Sequence, residues 1–434
     1  MKFSALIISL FIGLNLSAQF NWQITILDTL PEPVSNNAVC EGFVNGERFV
    51  YSFGGIDSTK IYSGIHRKSF RYNVSTNHWE TLPSIPDTLG KIASGASYID
   101  GKIYLIGGYH VLPNGTELSS NKIHIFNTIT NSWESDGQNL PFPIDDHVQC
   151  KYKDSLIYVV SGWSNTGNSN KVQIYDIYND SWMQGSEIPN NSQYKHFGAS
   201  GYIVEDTIYY AGGVSGQTSF TARSYMRKGV IDPDQPSIIN WNLLEDIPNQ
   251  ALYRSACTGY QNTVFWIGGA SVAYNYDGIA YNGSGGVEPN QRMLHFDVET
   301  EQTSDNLNFP LNLMDLRGIA KIGGGNWIVA GGMDTSQVVT NATYLLHNPN
   351  FSGILNGNLP PYFNVYQNEN SFVVDTEFAG SVDVYNINGQ ILFSGYKLLA
   401  DLIIPKDHLR ENMLVFVFDD GSNVPVIQKV IKVN

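Results

Sequence analysis

The chain has 434 residues, 15% of them charged, and a formal net charge of −15. This length exceeds one ordinary domain unless the chain is built from repeats. Its negative charge and its lack of a basic run exclude nucleic acid from the expected partners. With 41 Gly, 25 Tyr and 21 Phe, the composition favours an all-β protein with many turns.

The N-terminal segment is typical of a secretory signal peptide. Lys2 precedes an apolar run that extends to Leu14, and Ser17-Ala18 are small residues of the kind that precede a cleavage site. The run is too short to span a bilayer, and no other segment of the sequence qualifies as a transmembrane helix. We therefore expect residues 1–18 to be removed and the mature protein to be secreted or displayed at the cell surface.

A glycine pair then recurs along the chain, at a spacing of about fifty residues. The copies are Gly54-Gly55, Gly107-Gly108, Gly212-Gly213, Gly268-Gly269 and Gly331-Gly332, with a degenerate copy at Ser161-Gly162. Each closes a run of β-branched or aromatic residues. Repeats of this length, made of short strands, indicate a propeller or a solenoid.

Two further features recur in each unit. Tryptophans follow turns rich in Asn, Asp, Ser and Thr at Trp79, Trp133, Trp182 and Trp241, and an apolar residue followed by proline ends most units. The sixth unit lacks its tryptophan strand, but Asn21-Trp22 offers one at the other end of the chain. We expect the N-terminal segment to supply the outer strand of the sixth unit, because this closure removes a free sheet edge.

Together, the glycine pair, the spaced aromatic and tryptophan residues and the apolar-proline step resemble the kelch repeat over residues 20 to 346. The resemblance implies a six-bladed kelch β-propeller, as in galactose oxidase and the N-acetylneuraminate epimerases. We accordingly expect an all-β chain with the propeller at residues 19–346.

After a linker at residues 347–361, residues 362–434 predict a small β-sandwich with an immunoglobulin-like layout. The expected strands are Ser371–Asp375, Ser381–Ile387, Ile391–Ser394, Leu402–Ile404, Met413–Phe418 and Val426–Val433, with a hairpin turn at Asn388-Gly389. The runs VDVYNINGQILFSG, LVFVF and VIQKVIKVN are similar to the C-terminal sorting domains of the type IX secretion system of Bacteroidetes. That resemblance implies the outer-membrane secretion machinery as a partner.

Aligning the expected start of the first strand in each unit places a nitrogen-bearing side chain at the leading position. These residues are Asn37, Lys91, His147, His196, Arg254 and Arg317. We expect five of them to form a cationic rim at the channel mouth that binds a carboxylate or another anion. The alternative is structural, because arginines here could instead bond backbone carbonyls.

A long loop between residues 270 and 292 interrupts the fifth unit and is expected on the same face. It carries Tyr274, Tyr276, Asp277 and Tyr281 among glycines. Aromatic rings beside amide and acid groups suit a sugar ring or a peptide segment, although a long loop can also lack a function.

The sequence contains no HExxH, GxxxxGK or GxSxG motif, so we expect neither a metal nor another cofactor. Cys40, Cys150 and Cys257 align at one position of alternate units, which predicts three buried thiols rather than a disulfide. Galactose oxidase needs a thioether cysteine in its copper site, and buried cysteines do not fit that role.

Three functions remain open on the sequence alone. The first is a secreted binding protein that takes a glycan, anionic or not, or a protein on the channel-mouth face. The second follows from the resemblance to N-acetylneuraminate epimerases: a sialic acid mutarotase in which His147, His196 or Asp277 transfers protons and Arg254 and Arg317 hold the carboxylate. The third is a structural surface protein.

Overall fold

The computed structural model of the chain describes residues 22–44, 47–216, 219–351, 363–367, 370–376, 380–386, 388–397, 402–406, 409, 413–419 and 426–431. The expected signal peptide and most of the expected linker lie outside these residues, so they stay predictions. Among the described residues, no helical segment could span a lipid bilayer.

Six four-stranded antiparallel sheets form the blades of a propeller, as the repeats predict. Strands a to d run from the channel outwards. In blade 1 they are β2 (Ala38–Val44), β3 (Glu47–Phe53), β4 (Ser69–Asn73) and β5 (His78–Leu82). In blade 2 they are β6 (Ile92–Ile99), β7 (Lys102–Val111), β9 (Ile123–Asn127) and β10 (Ser132–Trp133). In blade 3 they are β11 (Val148–Tyr152), β12 (Leu156–Val160), β15 (Val172–Asp176) and β16 (Ser181–Gln184).

Blades 4 to 6 repeat this order. Blade 4 has β17 (Phe197–Val204), β18 (Thr207–Ser215), β20 (Met226–Ile231) and β21 (Ile239–Leu243). Blade 5 has β22 (Ala256–Tyr260), β23 (Thr263–Ile267), β24 (Met293–Asp297) and β25 (Gln302–Asn306). Blade 6 has β27 (Ala320–Gly323), β28 (Asn326–Ala330), β31 (Thr343–His347) and β1 (Gln23–Ile26).

Short elements decorate the b–c loops and the blade links. They are β8 (Glu117–Ser119), β13 (Trp163–Ser164), β14 (Gly167–Asn168), β19 (Thr221–Ala222), β26 (Arg317–Gly318), β29 (Met333–Asp334), β30 (Val338–Val339) and the 3-10 turns Tyr62–Gly64, Thr335–Gln337 and Pro349–Phe351. Strand β26 pairs in parallel with β2 and so ties the last blade link to the first blade.

The N-terminal strand closes the ring. Strand β1 is the outer strand of blade 6 and pairs with β31 in the register Gln23 to His347. The Trp22 ring lies 5.2 Å from Trp327 in blade 6 and 5.5 Å from Phe265 in blade 5. The expected closure of the propeller by the N-terminal segment is therefore confirmed.

The recurring glycines and tryptophans join neighbouring blades. Gly212 has φ +70, and a Cβ there would lie 2.2 Å from the carbonyl oxygen of Leu252 in the next blade link, so only glycine fits. Trp182 donates its indole N–H to the carbonyl of Gln138 at 2.7 Å, a bond from an outer strand to the link before its blade. Tryptophan thus adds a directional bond to the apolar contact.

The tail forms two sheets that share one apolar core, in which Phe372 of one sheet lies 5.5 Å from Phe416 of the other. The strands are β32 (Phe363–Gln367), β33 (Ser371–Thr376) and β36 (Leu402–Pro405) in one sheet, and β35 (Ile391–Lys397), β34 (Gly380–Tyr385), β37 (Met413–Asp419) and β38 (Val426–Ile431) in the other. Strands occupy all six expected positions, and β32 adds one that the sequence pattern did not indicate. The immunoglobulin-like layout and the sorting role stay predictions.

Candidate functional site: the central channel

A ring of backbone hydrogen bonds narrows the channel at the end that carries the b–c loops. The segment that leads into each blade contributes one N–H, which donates to a carbonyl of the corresponding segment of the blade before it. The bonds run from Asn36 to Asp315, Ala93 to Asn36, Asp146 to Ala93, Gly198 to Asp146, Arg254 to Gly198 and Leu316 to Arg254. Their lengths, 2.8 to 3.4 Å, make this end of the channel a closed constriction.

This ring shows that the six leading residues of the sequence alignment are not equivalent. Lys91 and His196 each lie two residues before the residue of their segment that donates in the ring. His147 and Arg317 each lie one residue after the donor of theirs. The six side chains therefore start from different positions relative to the ring. The expected equivalence is wrong, and the channel mouth has no single cationic rim.

Lys91 and His196 are held in the blades by partners of their own. The Lys91 ammonium is buried 2.7 Å from Asp87, and His196 lies with its Nδ1 2.8 Å from the guanidinium of Arg227. Burial, reinforced by Arg227, lowers the pKa of His196 well below its ordinary value. Lys91 also contacts His124 of blade 2 at 3.1 Å, so both side chains join a link to its blade, as the structural alternative expects.

Arg254 forms the centre of a buried ion-pair cluster at the closed end. Its Nε donates to Asp146 at 3.1 Å and its Nη1 to Asp315 at 3.0 Å, and each of the three residues is at most 2% exposed. The guanidinium also lies 5.1 Å from the centre of the Tyr253 ring. The cluster therefore seals the channel and leaves Arg254 no free edge toward a ligand.

Below this seal lies a cavity of about 530 Å³. It is lined by strand a of all six blades and reaches the a–b turns on the opposite face, where Lys151 and Asp154 are exposed. Of the residues that the sequence predicts for ligand binding, His147 and Arg317 line it. The cavity is a blind channel that opens away from the b–c loops.

His147 lines this cavity and has one buried ring nitrogen without a partner. Gln149 donates its amide to Ser97 Oγ at 2.9 Å, so its Oε1 faces His147 Nε2 at 3.0 Å and Nε2 must carry the proton. Burial, with the nearby Arg317 charge, lowers the pKa of His147 to about 4, which keeps the ring neutral at pH 7. Its buried Nδ1 has a lone pair and no hydrogen-bond partner among the described residues.

Arg317 presents an unused donor beside it. Its Nη2 donates to the carbonyl of His147 at 2.9 Å and its Nη1 lies 3.5 Å from Asp146. The buried Nε has no hydrogen-bond partner in the described ranges, and only 6% of the side chain is exposed. Leaving such a donor unsatisfied costs about 1–3 kcal/mol, which favours a ligand that supplies an acceptor.

The open end is ringed by aromatic and charged side chains. Glu41 and Lys151, from blades 1 and 3, pair across it at 3.4 Å, and the Lys321 ammonium lies 5.5 Å from the Tyr260 ring. The charged residues that line the cavity are Arg48, Lys151, Arg317 and Lys321 against Glu41 and Asp154. A local excess of positive charge thus stands in a chain of net charge −15.

The long loop at residues 270–292 lies over the closed end instead. Tyr274 is buried and meets Tyr253 at 5.0 Å, and Tyr281 lies 4.8 Å from Phe220 of blade 4. Tyr276 packs against an apolar cluster of blades 1 and 2 that contains Tyr109. These contacts with several blades make the loop a cap over the sealed end, and its tyrosines do not reach the channel cavity.

The three candidate catalytic residues lie in three environments. His147 faces the channel cavity, His196 is beneath Arg227, and Asp277 accepts a hydrogen bond from the Ile279 N–H in a turn of the cap. They do not form the adjacent acid and base that a mutarotase needs.

Sequence reasoning missed the residues at the far end of strand a. Glu41, Gln149 and Lys151 were not singled out, although an aromatic residue closes strand a in several blades, as at Tyr98, Tyr202 and Tyr260. That repeated aromatic was the available signal. The three cysteines also line this cavity and are free; Cys40 and Cys150 are buried and Cys257 is half-buried.

The repeated strand pattern and its glycine and tryptophan joints agree with a family model. Residues 42–269, more than half of the chain, match the model described as the KLHDC2/KLHL20/DRC7 Kelch-repeats domain. The chain belongs to the kelch-repeat family. Kelch architecture thus accounts for the propeller, while the ligand depends on this chain's own channel side chains.

Similar proteins show how wide the family is. The chain is 26% identical over 201 residues to the kelch-like protein terF of Aspergillus terreus, covering 46% of this chain and 43% of terF. It is 26% identical over 234 residues to beta-scruin of Limulus polyphemus, covering 52% and 24%. These matches span less than half of either relative, so they carry no activity over to this chain.

A solved structure described as the structure of YjhT has a similar fold. The two align with a TM-score of 0.57 and 13% sequence identity, over 81% of this chain and 99% of the other. At this identity the likeness supports the propeller fold and no more.

Proposed function

We propose that this kelch propeller is a binding protein that takes a small hydroxylated carboxylate, such as a unit of an anionic glycan, in its central channel. The carrying observation is the pair of buried, unpartnered nitrogens, Arg317 Nε and His147 Nδ1, on the wall of one cavity. A guanidinium N–H donates to a carboxylate, and a neutral imidazole nitrogen accepts from a hydroxyl.

The two nitrogens together favour a ligand that carries both a carboxylate and a hydroxyl group. Arg317 is bonded to the backbone of His147, so the two side chains start from the same part of the wall. A carboxylate at Arg317 with a neighbouring hydroxyl at His147 would satisfy both. The hydroxyls of Ser97, Ser200 and Thr258 on the wall suit further hydroxyl groups of the ligand.

Entry would be from the face of the a–b turns. The opposite end is closed by the backbone ring and the Arg254 cluster, which supports a route different from the b–c face that the sequence suggested. The side chain of Lys151, 41% exposed at the open end, would attract the anion, and the carboxylate of the ligand would replace Glu41 as its partner.

Titration calorimetry with glycerate, gluconate and glucuronate, against the open-chain polyols glycerol and sorbitol, tests this proposal. The acids should bind and the neutral compounds should not. Arg317→Gln should weaken acid binding about 10–100-fold, the value of a charge-assisted hydrogen bond. Lys151→Gln should weaken it at low salt, while the matched control Lys102→Gln, on a lysine outside the cavity, should leave it unchanged.

Equal binding of acids and neutral polyols, or wild-type affinity in Arg317→Gln, would contradict the proposal. A mutarotase would need a second proton-transferring group beside His147, and the other candidates lie elsewhere. Binding is therefore the function that the geometry supports best.

We also propose that the protein is exported. The support is the signal-peptide pattern at residues 1–18 and the resemblance of residues 362–434 to sorting domains. Fractionation of cells expressing the full chain, a chain without residues 1–18 and a chain without residues 362–434 tests this. Retention of the first deletion inside the cell, and of the second in the periplasm, is expected; release of all three forms would contradict it.

A further inference from the structure

A second cavity, of about 290 Å³, lies on the face of the b–c loops, away from the channel. It is formed where the b–c loop of blade 4 meets the cap at residues 270–292. Its walls are Ser219, Phe220, Thr221, Ala222, Ser271, Val272, Ala273, Tyr281 and Asn282. None of the residues that line the channel takes part in it.

The aromatic side of this cavity is fixed by packing. The Phe220 ring lies 4.8 Å from Tyr281, 5.5 Å from Trp163 and 5.6 Å from Phe197, centre to centre. The contacts of Phe220 with Trp163 and Phe197 are edge-to-face and that with Tyr281 is tilted, and this packing holds the Phe220 ring in one orientation. The aromatic wall is therefore formed before any ligand arrives.

The cap that carries the other wall is also held in place. Gln337 of blade 6 donates to the carbonyl of Val287 at 3.0 Å, and its side chain lies against Gly278 and Gly286, where a Cβ would meet it at 2.7 Å and 2.1 Å. The loop is thus packed against another blade on the side away from the cavity.

The polar side offers neutral hydrogen-bonding groups. The hydroxyls of Thr221 and Ser271 make no hydrogen bond to other described residues, and the Asn282 side chain accepts from the Ser284 N–H and keeps its amide N–H groups for a ligand. None of the described residues that line the cavity carries a charged side chain. Its chemistry is therefore an aromatic wall facing neutral donors and acceptors.

We propose that this cavity binds a neutral pyranose ring, as a second site distinct from the channel. A pyranose has an apolar face of C–H groups, which suits the Phe220 and Tyr281 rings, and an edge of hydroxyls, which suits Thr221, Ser271 and Asn282. The volume fits one ring rather than an oligosaccharide. Because no cation lines the walls and the chain carries −15, a carboxylated sugar is disfavoured here.

Saturation-transfer NMR on the whole protein tests this site, with the methyl pyranosides of glucose, galactose, mannose and N-acetylglucosamine at millimolar concentration. At least one neutral pyranoside should receive saturation in the wild type and in Arg317→Gln, and methyl glucuronoside should receive much less in Arg317→Gln, where the channel site is impaired. Ser271→Trp fills the cavity and should weaken binding at least tenfold. Ser284→Trp makes the same change on an exposed residue of the cap outside the cavity and should bind as wild type does.

Two results would overturn the proposal: no transfer to any neutral pyranoside, or equal binding by Ser271→Trp and the wild type. Binding of an aromatic peptide side chain in place of a sugar, lost in Ser271→Trp, would also overturn it and would mark a protein-docking pocket. Arg317→Gln should not alter pyranoside binding, which separates this site from the channel.

Discussion

Arg254 and Asp315, from the links that lead into blades 5 and 6, meet at 3.0 Å in the closed end of the channel, and both side chains are at most 1% exposed. The pair shares its place with Asp146 from the link into blade 3, so one guanidinium joins links from three blades. The seal of the channel is thus an electrostatic joint between distant parts of the chain.

Removing this guanidinium should destabilise the propeller strongly. Arg254→Met leaves Asp315 buried without its cation and leaves Asp146 with only Arg317, at 3.5 Å, and breaking a buried ion pair typically costs about 3–5 kcal/mol. Urea unfolding should show this loss. The control Lys102→Met removes the partly exposed pair with Glu134, at 2.9 Å, and should change stability by about 1 kcal/mol or less. Equal effects of the two changes would contradict the buried joint.

The N-terminal clasp should be equally measurable. Trp22 packs between blades 5 and 6, so Trp22→Ala should cost about 3–5 kcal/mol of unfolding free energy. Ile26 lies on the same strand but is 71% exposed, so Ile26→Ala should have little effect. A Trp22→Ala protein as stable as Ile26→Ala would show that β1 does not hold the ring closed.

The sequence predicted the blades better than the site. Gly212 and Trp182 act through local geometry that recurs from blade to blade, so the repeat of these residues can be recognised in a single sequence. The site depends on whether a side chain lies one residue before or after the backbone ring. Asp146 and His147 are neighbours, yet one joins the seal and the other faces the cavity, and only the hydrogen-bond register distinguishes them.

Buried histidines should make stability fall as the pH falls. Burial lowers the pKa of His147 to about 4, against about 6.5 in an unfolded chain. Between these values the unfolded state binds a proton that the native state does not, so the unfolding free energy drops by about 1.4 kcal/mol per pH unit for this group. Below pH 4 this contribution levels off.

His147→Gln should therefore flatten the pH dependence of stability between pH 6.5 and 4 by about one proton. The wild-type slope over the same pH range provides the reference. Chemical unfolding at a series of pH values measures both. An unchanged slope in His147→Gln would show that this imidazole is protonated in the native state.

The free thiols provide a probe of the channel. Burial raises the pKa of Cys40 and Cys257 well above the ordinary value, and that of Cys150 to about 12, so native thiolate is scarce and reaction with a thiol reagent should be slow. Three thiols should react rapidly only in denaturant.

Among the three, half-buried Cys257 should react first in the native protein, and only its reaction should slow when the channel holds a bound carboxylate. Cys257→Ser should remove that ligand-sensitive phase, while Cys40→Ser should leave it. The reason is access: the reagent must enter through the same open end as the ligand, past Glu41 and Lys151. A reaction rate at Cys257 that saturating glucuronate does not change would mean that the ligand lies outside the channel.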